Sequence, residues 1–137
     1  MGKYYSEAGI YDILNNIIIN IIKEATSQLC KDLEDNQNIT ISKDIALDII
    51  KFSDFLQNLI QNDYIQNEIN IDRNIVDYNI DVSPLARKLL YSRIDSKIEE
   101  LLESYRYSVV AYDMIFEKKL YLEKVCNSMN KKTMKIK

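Results

Sequence analysis

NDYIQNEINIDRNIVDYNID, residues 62–81, interrupts a chain whose apolar residues otherwise recur at helical spacing. Ile69 and Ile71 alternate with Asn70 and Asp72. Val76, Tyr78, Ile80 and Val82 then alternate with Asp77, Asn79 and Asp81, the period of a half-buried strand. Asp72, Arg73 and Asn74 lie between the two runs and are turn-tolerant, so the spacing predicts a β-hairpin with its tip at 72–74. Helices on both sides of a hairpin are the layout of a winged helix. The expected fold is mainly α with a small β-hairpin, a winged helix-turn-helix with long N- and C-terminal helices.

The N-terminal helix is expected over residues 6–33. Ile10, Ile13, Leu14, Ile17, Ile18, Ile21, Ile22, Ala25 and Leu29 form a broad apolar stripe on it, ended by the polar cluster EDNQN at 34–38. Such a width serves either a core alone or a core plus a second copy of the chain. From Ser83, an N-cap residue, and Pro84, suited to the first helical position, a long helix is expected over residues 83–127, followed by a basic tail at 128–137. Leu90, Ile94, Ile98, Leu101, Tyr105, Val109, Tyr112, Phe116 and Leu120 stay in phase along it. A helix that long either projects and pairs with another chain, giving a homodimer together with residues 10–29, or folds back near Tyr105–Ser108.

Between these helices, residues 40–82 are assigned to the helix-turn-helix and wing. Ile45-Ala46 followed by Ile49 has the spacing of the first helix of such a motif. Ser53 caps a second helix, Phe52, Leu56 and Leu59 face inward, and Asp63-Tyr64-Ile65 leads into the first strand. With Asp72-Arg73 at the wing tip and a helix from Pro84, residues 40 to about 95 resemble the winged helix-turn-helix of MarR- and SarA-type regulators. That resemblance implies a dimeric DNA-binding transcriptional regulator. Lys43, Lys51, Ser53, Gln57, Asn58 and Gln61 would face the major groove or its phosphates, and Arg73 with Asn74 would reach the minor groove. The same stretch is also similar to the winged helices of PCI domains, which bind protein.

Charge divides these readings. Residues 1–83 hold 6 basic and 14 acidic side chains and residues 84–137 hold 12 and 7, within an overall net charge of −3. Residues 39–83 alone hold 3 basic against 8 acidic groups, whereas duplex binding draws much of its affinity from neutralising phosphates. The alternative to a DNA-binding regulator is therefore a non-enzymatic scaffold subunit or small helical inhibitor that uses the acidic segment to bind protein.

The chain has no histidine, no glycine-rich phosphate loop and no clustered metal ligands, so it is expected not to be an enzyme and to need no cofactor or metal. Asp95, Glu99 and Glu103 make an i, i+4 acidic row, read as a solvated face. The ten tyrosines are read as packing residues with a polar tip. At 137 residues and 47% hydrophobic, the chain is expected to form a single domain. Cys30 and Cys126 form no C-x-x-C pair, and the longest apolar run, Ile17 to Ile22, is interrupted by Asn20. A cytoplasmic protein without a membrane span is expected.

Overall fold

The computed structural model describes residues 7–35, 39–62 and 80–136. They form four helices, α1 (Glu7–Glu34), α2 (Ile39–Asn62), α3 (Pro84–Ser104) and α4 (Val109–Ile136), with no strand among them. The expected mainly α fold with a β-hairpin wing is therefore corrected, over the described residues, to an all-helical bundle. Residues 63–79, which hold most of the expected hairpin, lie outside the described residues. Ile80, Asp81 and Val82, expected at the end of its second strand, belong to a non-helical entry to α3 with no strand partner among the described residues.

The decisive correction falls on residues 39–62. Two helices and a turn were expected there, but a single uninterrupted helix is present. Nothing between Ile39 and Asn62 breaks it, since the segment holds neither Gly nor Pro. Ser53, expected to cap a second helix, lies buried in mid-helix, and its hydroxyl stands 2.8 Å from that of Thr26 on α1 while accepting from Gln57 Nε2 at 3.0 Å. Without a turn there is no helix-turn-helix, and the resemblances to MarR- and SarA-type regulators and to PCI domains do not hold.

Burial drives the rest of the assembly. On α1, Leu14, Ile18, Ile22, Ala25 and Leu29 follow one another at three- or four-residue steps and are all buried. Isoleucine is a mediocre helix former, so tertiary burial, worth about 1.5–3 kcal/mol per large aliphatic side chain, offsets the propensity. The other helices supply Ile49, Phe52, Leu56, Leu59 and Ile60 from α2, Leu90, Ile94, Ile98 and Leu102 from α3, and Ile115, Leu122 and Val125 from α4 to the same core. α1 packs against all three other helices, and α4 lies mainly on α3.

Polar contacts fix the directions. Glu24 pairs with Lys97 at 2.8 Å and Asp32 with Arg93, so α1 and α3 are antiparallel. On α2, Asp48 Oδ2 accepts from the Ser83 backbone N–H at 2.9 Å, and Lys51 Nζ donates to Asp81 O at 3.2 Å. These contacts anchor the start of α3 beside the middle of α2. α1 packs on α2 across the short link between Glu34 and Ile39 and antiparallel to α3, so α2 and α3 run in the same direction.

α3 starts as the sequence predicts: Ser83 accepts from Ala86 N at 3.1 Å and Pro84 occupies the first turn. The long C-terminal helix expected over 83–127 is instead two helices, because the chain reverses at 105–108 without a glycine or proline. Tyr105 leaves helical geometry with its N–H shared between Leu101 O and Leu102 O, and Ser108 O accepts the first α4 bond from Tyr112 N at 2.8 Å. The sequence 128–137, expected as a basic tail, continues α4 as far as Ile136.

Candidate interaction surface

The residues expected to read DNA are not gathered into a recognition surface. Ser53 is buried and Gln57 is partly buried against it. Lys43, Lys51, Asn58 and Gln61 are exposed on α2, but Asp44 and Asp54 stand exposed among them and Lys51 reaches back to Asp81 O. Arg73 and Asn74 lie outside the described residues. With one continuous helix, no recognition helix is held against a supporting one.

Ser53 and Gln57 line an open groove between α1 and α2, about 540 Å³, with Lys23, Thr26, Cys30, Ile50 and Asp54. Thr26 donates to Ile22 O at 2.6 Å, and the Ser53 hydroxyl is held between Thr26 and Gln57, so both hydroxyls are committed to packing the helices together. Burial, with Glu34 nearby, raises the Cys30 pKa, so this thiol stays protonated near neutrality and is a poor nucleophile.

The inner face of α4 carries Ile115, Lys118, Tyr121, Leu122, Val125 and Cys126, all buried. Lys118 is inward and its Nζ lies 5.9 Å from the centre of the Tyr121 ring. Burial pushes the Cys126 thiol up to about 12, partly offset by the neighbouring Arg87 guanidinium. Arg87 is itself buried on α3 and donates to Val82 O at 2.9 Å; desolvation lowers its pKa. Burial also raises Tyr91, aided by Asp95, Glu123 and Cys126.

The opposite face of α4 is apolar too. Val109, Phe116 and Leu120 are 73%, 42% and 41% exposed and recur at steps that keep them on one side of the helix. Tyr112, partly buried against the core, stacks on Phe116 at the margin of this row with ring centroids 6.4 Å apart. At the α3–α4 turn, Tyr107 is almost fully exposed beneath the Arg106 guanidinium. Isolated exposed apolar residues are ordinary, as with Leu85 on α3. A row of them along three turns on the far side of a helix from its own core is not.

Charge borders the stripe. Asp113, Glu117 and Lys124 are exposed along one edge. Along the other, Lys119 Nζ sits 3.3 Å from Asp95 Oδ1 and 3.2 Å from Glu99 Oε2, with Glu123 one turn further on. Burial pulls the Lys119 pKa down, but hydrogen bonds to Glu99 and Asp95 reverse this and leave it raised. The acidic row Asp95, Glu99 and Glu103 thus pairs with Lys119 and Arg106.

Sequence reasoning singled out Val109, Tyr112, Phe116 and Leu120 but placed them on the stripe of Leu90, Ile94 and Ile98, which is core. Among the described residues no His, Cys, Asp and Glu cluster is arranged to hold a metal ion, and no helix is long and apolar enough to cross a membrane. Comparison with known proteins adds no relative: no family model, no curated protein and no solved structure matches this chain.

Proposed function

We propose that this chain is a non-enzymatic helical module that binds another protein through the outward face of α4. The observation that carries this reading is the two-sided helix, with Ile115, Leu122 and Val125 in the core and Val109, Phe116 and Leu120 in solvent. An apolar stripe aligned over three turns is what helix-in-groove and helix-on-helix recognition uses, with anchors three or four residues apart. A cytoplasmic setting suits the two free thiols, Cys30 and Cys126. The reading keeps the protein-binding alternative of the sequence and rests it on α4 in place of an acidic wing.

A photo-crosslinking amino acid placed at Leu120, with Glu100 on the exposed side of α3 as the control position, tests it in the producing cell. A discrete protein adduct from position 120 that is absent from position 100 is the expected result. Equal labelling from both positions, or none from either, would remove the reading.

A further inference from the structure

Both edges of the α4 stripe are net acidic. Asp113 and Glu117 outnumber Lys124 on one side; Asp95, Glu99 and Glu123 outnumber Lys119 on the other, and Arg106 at the turn is paired with Glu103 at 3.3 Å. Pairing two copies across this stripe sets a negative edge against a negative edge in either orientation. Antiparallel pairing, with Val109 opposite the partner's Leu120, would bring Asp113 of each copy beside Glu117 of the other. Like charges facing each other across a helix pair are destabilising. The apolar residues that a dimer through residues 90–120 and 10–29 would share are also largely spent, since Leu90, Ile94, Ile98, Ile18 and Ile22 are buried within one chain.

We propose that the occupant of the stripe is a basic amphipathic helix of a different protein. Its apolar residues, spaced three and four apart, would lie along Val109, Phe116 and Leu120, with Tyr112 at the margin, and its flanking Lys or Arg side chains would meet Asp113 and Glu117 on one edge and Glu123 on the other. The apolar strip supplies most of the affinity, and the charges select the partner and set the encounter rate. This inference rests on the interaction reading of α4 and adds the chemistry of the partner to it.

Two synthetic helical peptides of about five turns, roughly 18 residues at 3.6 per turn, serve as probes. They share one Leu/Ala face and differ only in carrying Lys or Glu along its flanks. Binding of each to the full chain is read by fluorescence anisotropy across a salt series, beside the molar mass of the protein alone. The Lys peptide should bind about tenfold or more tighter than the Glu peptide, with salt narrowing the gap. The double variant Asp113→Lys/Glu117→Lys should shrink or invert that preference. Phe116→Ser/Leu120→Ser, both at exposed positions and checked for native helicity, should abolish binding of both peptides. Equal binding of the two peptides, or self-association of the parent that the Phe116→Ser/Leu120→Ser variant removes, would overturn the basic partner while leaving α4 an interaction face. Lys-peptide binding that survives Phe116→Ser/Leu120→Ser, or no binding with a monomeric parent, would overturn the α4 reading as well.

Discussion

The hydroxyls of Thr26 on α1 and Ser53 on α2 stand 2.8 Å apart in the interface between the two helices, where Ser53 is 3% exposed. Gln57 donates into the pair and the Thr26 hydroxyl donates to Ile22 O. A committed chain of this kind aligns α1 and α2 at one register, and removing its middle member leaves Gln57 Nε2 without its acceptor. Ser53→Ala should destabilise the fold by about 1 kcal/mol, and Ser53→Asn, too large for the site, by more. Urea unfolding followed by circular dichroism measures both. A neutral Ser53→Ala would mean that Gln57 and Thr26 find water without loss.

Arg87 gives a larger effect. It is 6% exposed and its Nη1 holds Val82 O at 2.9 Å, pinning the extended entry to α3 that Asp48 grips through the Ser83 N–H. Arg87→Met keeps the apolar stem and removes the charge. We expect a loss of roughly 2–3 kcal/mol, the scale of a charged hydrogen bond lost from a buried carbonyl. A stability equal to the parent's would show that the guanidinium is a desolvation burden and not an anchor.

The Cys126 thiol makes stability depend on alkaline pH. Its pKa rises from an ordinary 9.0 to about 12 in the folded chain, so the folded state is favoured over the unfolded one while the thiol stays protonated in it. That contribution is complete below about pH 9 and drains away as pH climbs toward 12, by at most about 1.4 kcal/mol per pH unit. Tyr91, also raised by burial, adds loss in the same direction at higher pH. Chemical unfolding at pH 8, 9.5 and 10.5 should therefore show falling stability, with a shallower fall in Cys126→Ala. Identical pH profiles for parent and variant would contradict the burial of this thiol.

The reversal at 105–108 invites a different experiment. Replacing all of these residues with alanine, the strongest helix former, favours fusion of α3 and α4 into one rod. Ile115, Leu122 and Val125 would then find their core only in another chain, giving an exchanged dimer visible by light scattering. A variant with the parent's mass and melting temperature would show that packing of α4 alone reverses the chain.

The same reversal explains why the sequence was legible in part. Leu14, Ile18, Ile22, Ala25 and Leu29 announce α1, and Ser83-Pro84 announces α3, because burial at helical period and capping chemistry are both local signals. The turn carries no such mark: Tyr105, Arg106, Tyr107 and Ser108 are residues that helices accept. A stripe read through them joins Leu90, Ile94 and Ile98, which are core, to Phe116 and Leu120, which face solvent. The true inner face of α4 is masked by Lys118, a residue that pattern reading assigns to water. On α2, Ser53 resembles a cap only when its partner Thr26, distant in sequence, is out of view.

The parallel course of α2 and α3 has a consequence for the order of folding. α1 with α2, and α3 with α4, are each separated by only four residues of sequence, so each pair can assemble from contacts of low sequence separation. Docking the first pair onto the second, through Glu24–Lys97, Asp32–Arg93 and Asp48–Ser83, must wait until the 63–79 segment closes a loop between α2 and α3. The entropy of that closure grows only logarithmically with length, so it delays the docking step without excluding it. Native-state hydrogen exchange should accordingly resolve two cooperative units, with the α3–α4 amides opening at lower free energy than those of α1, the helix that every other helix covers.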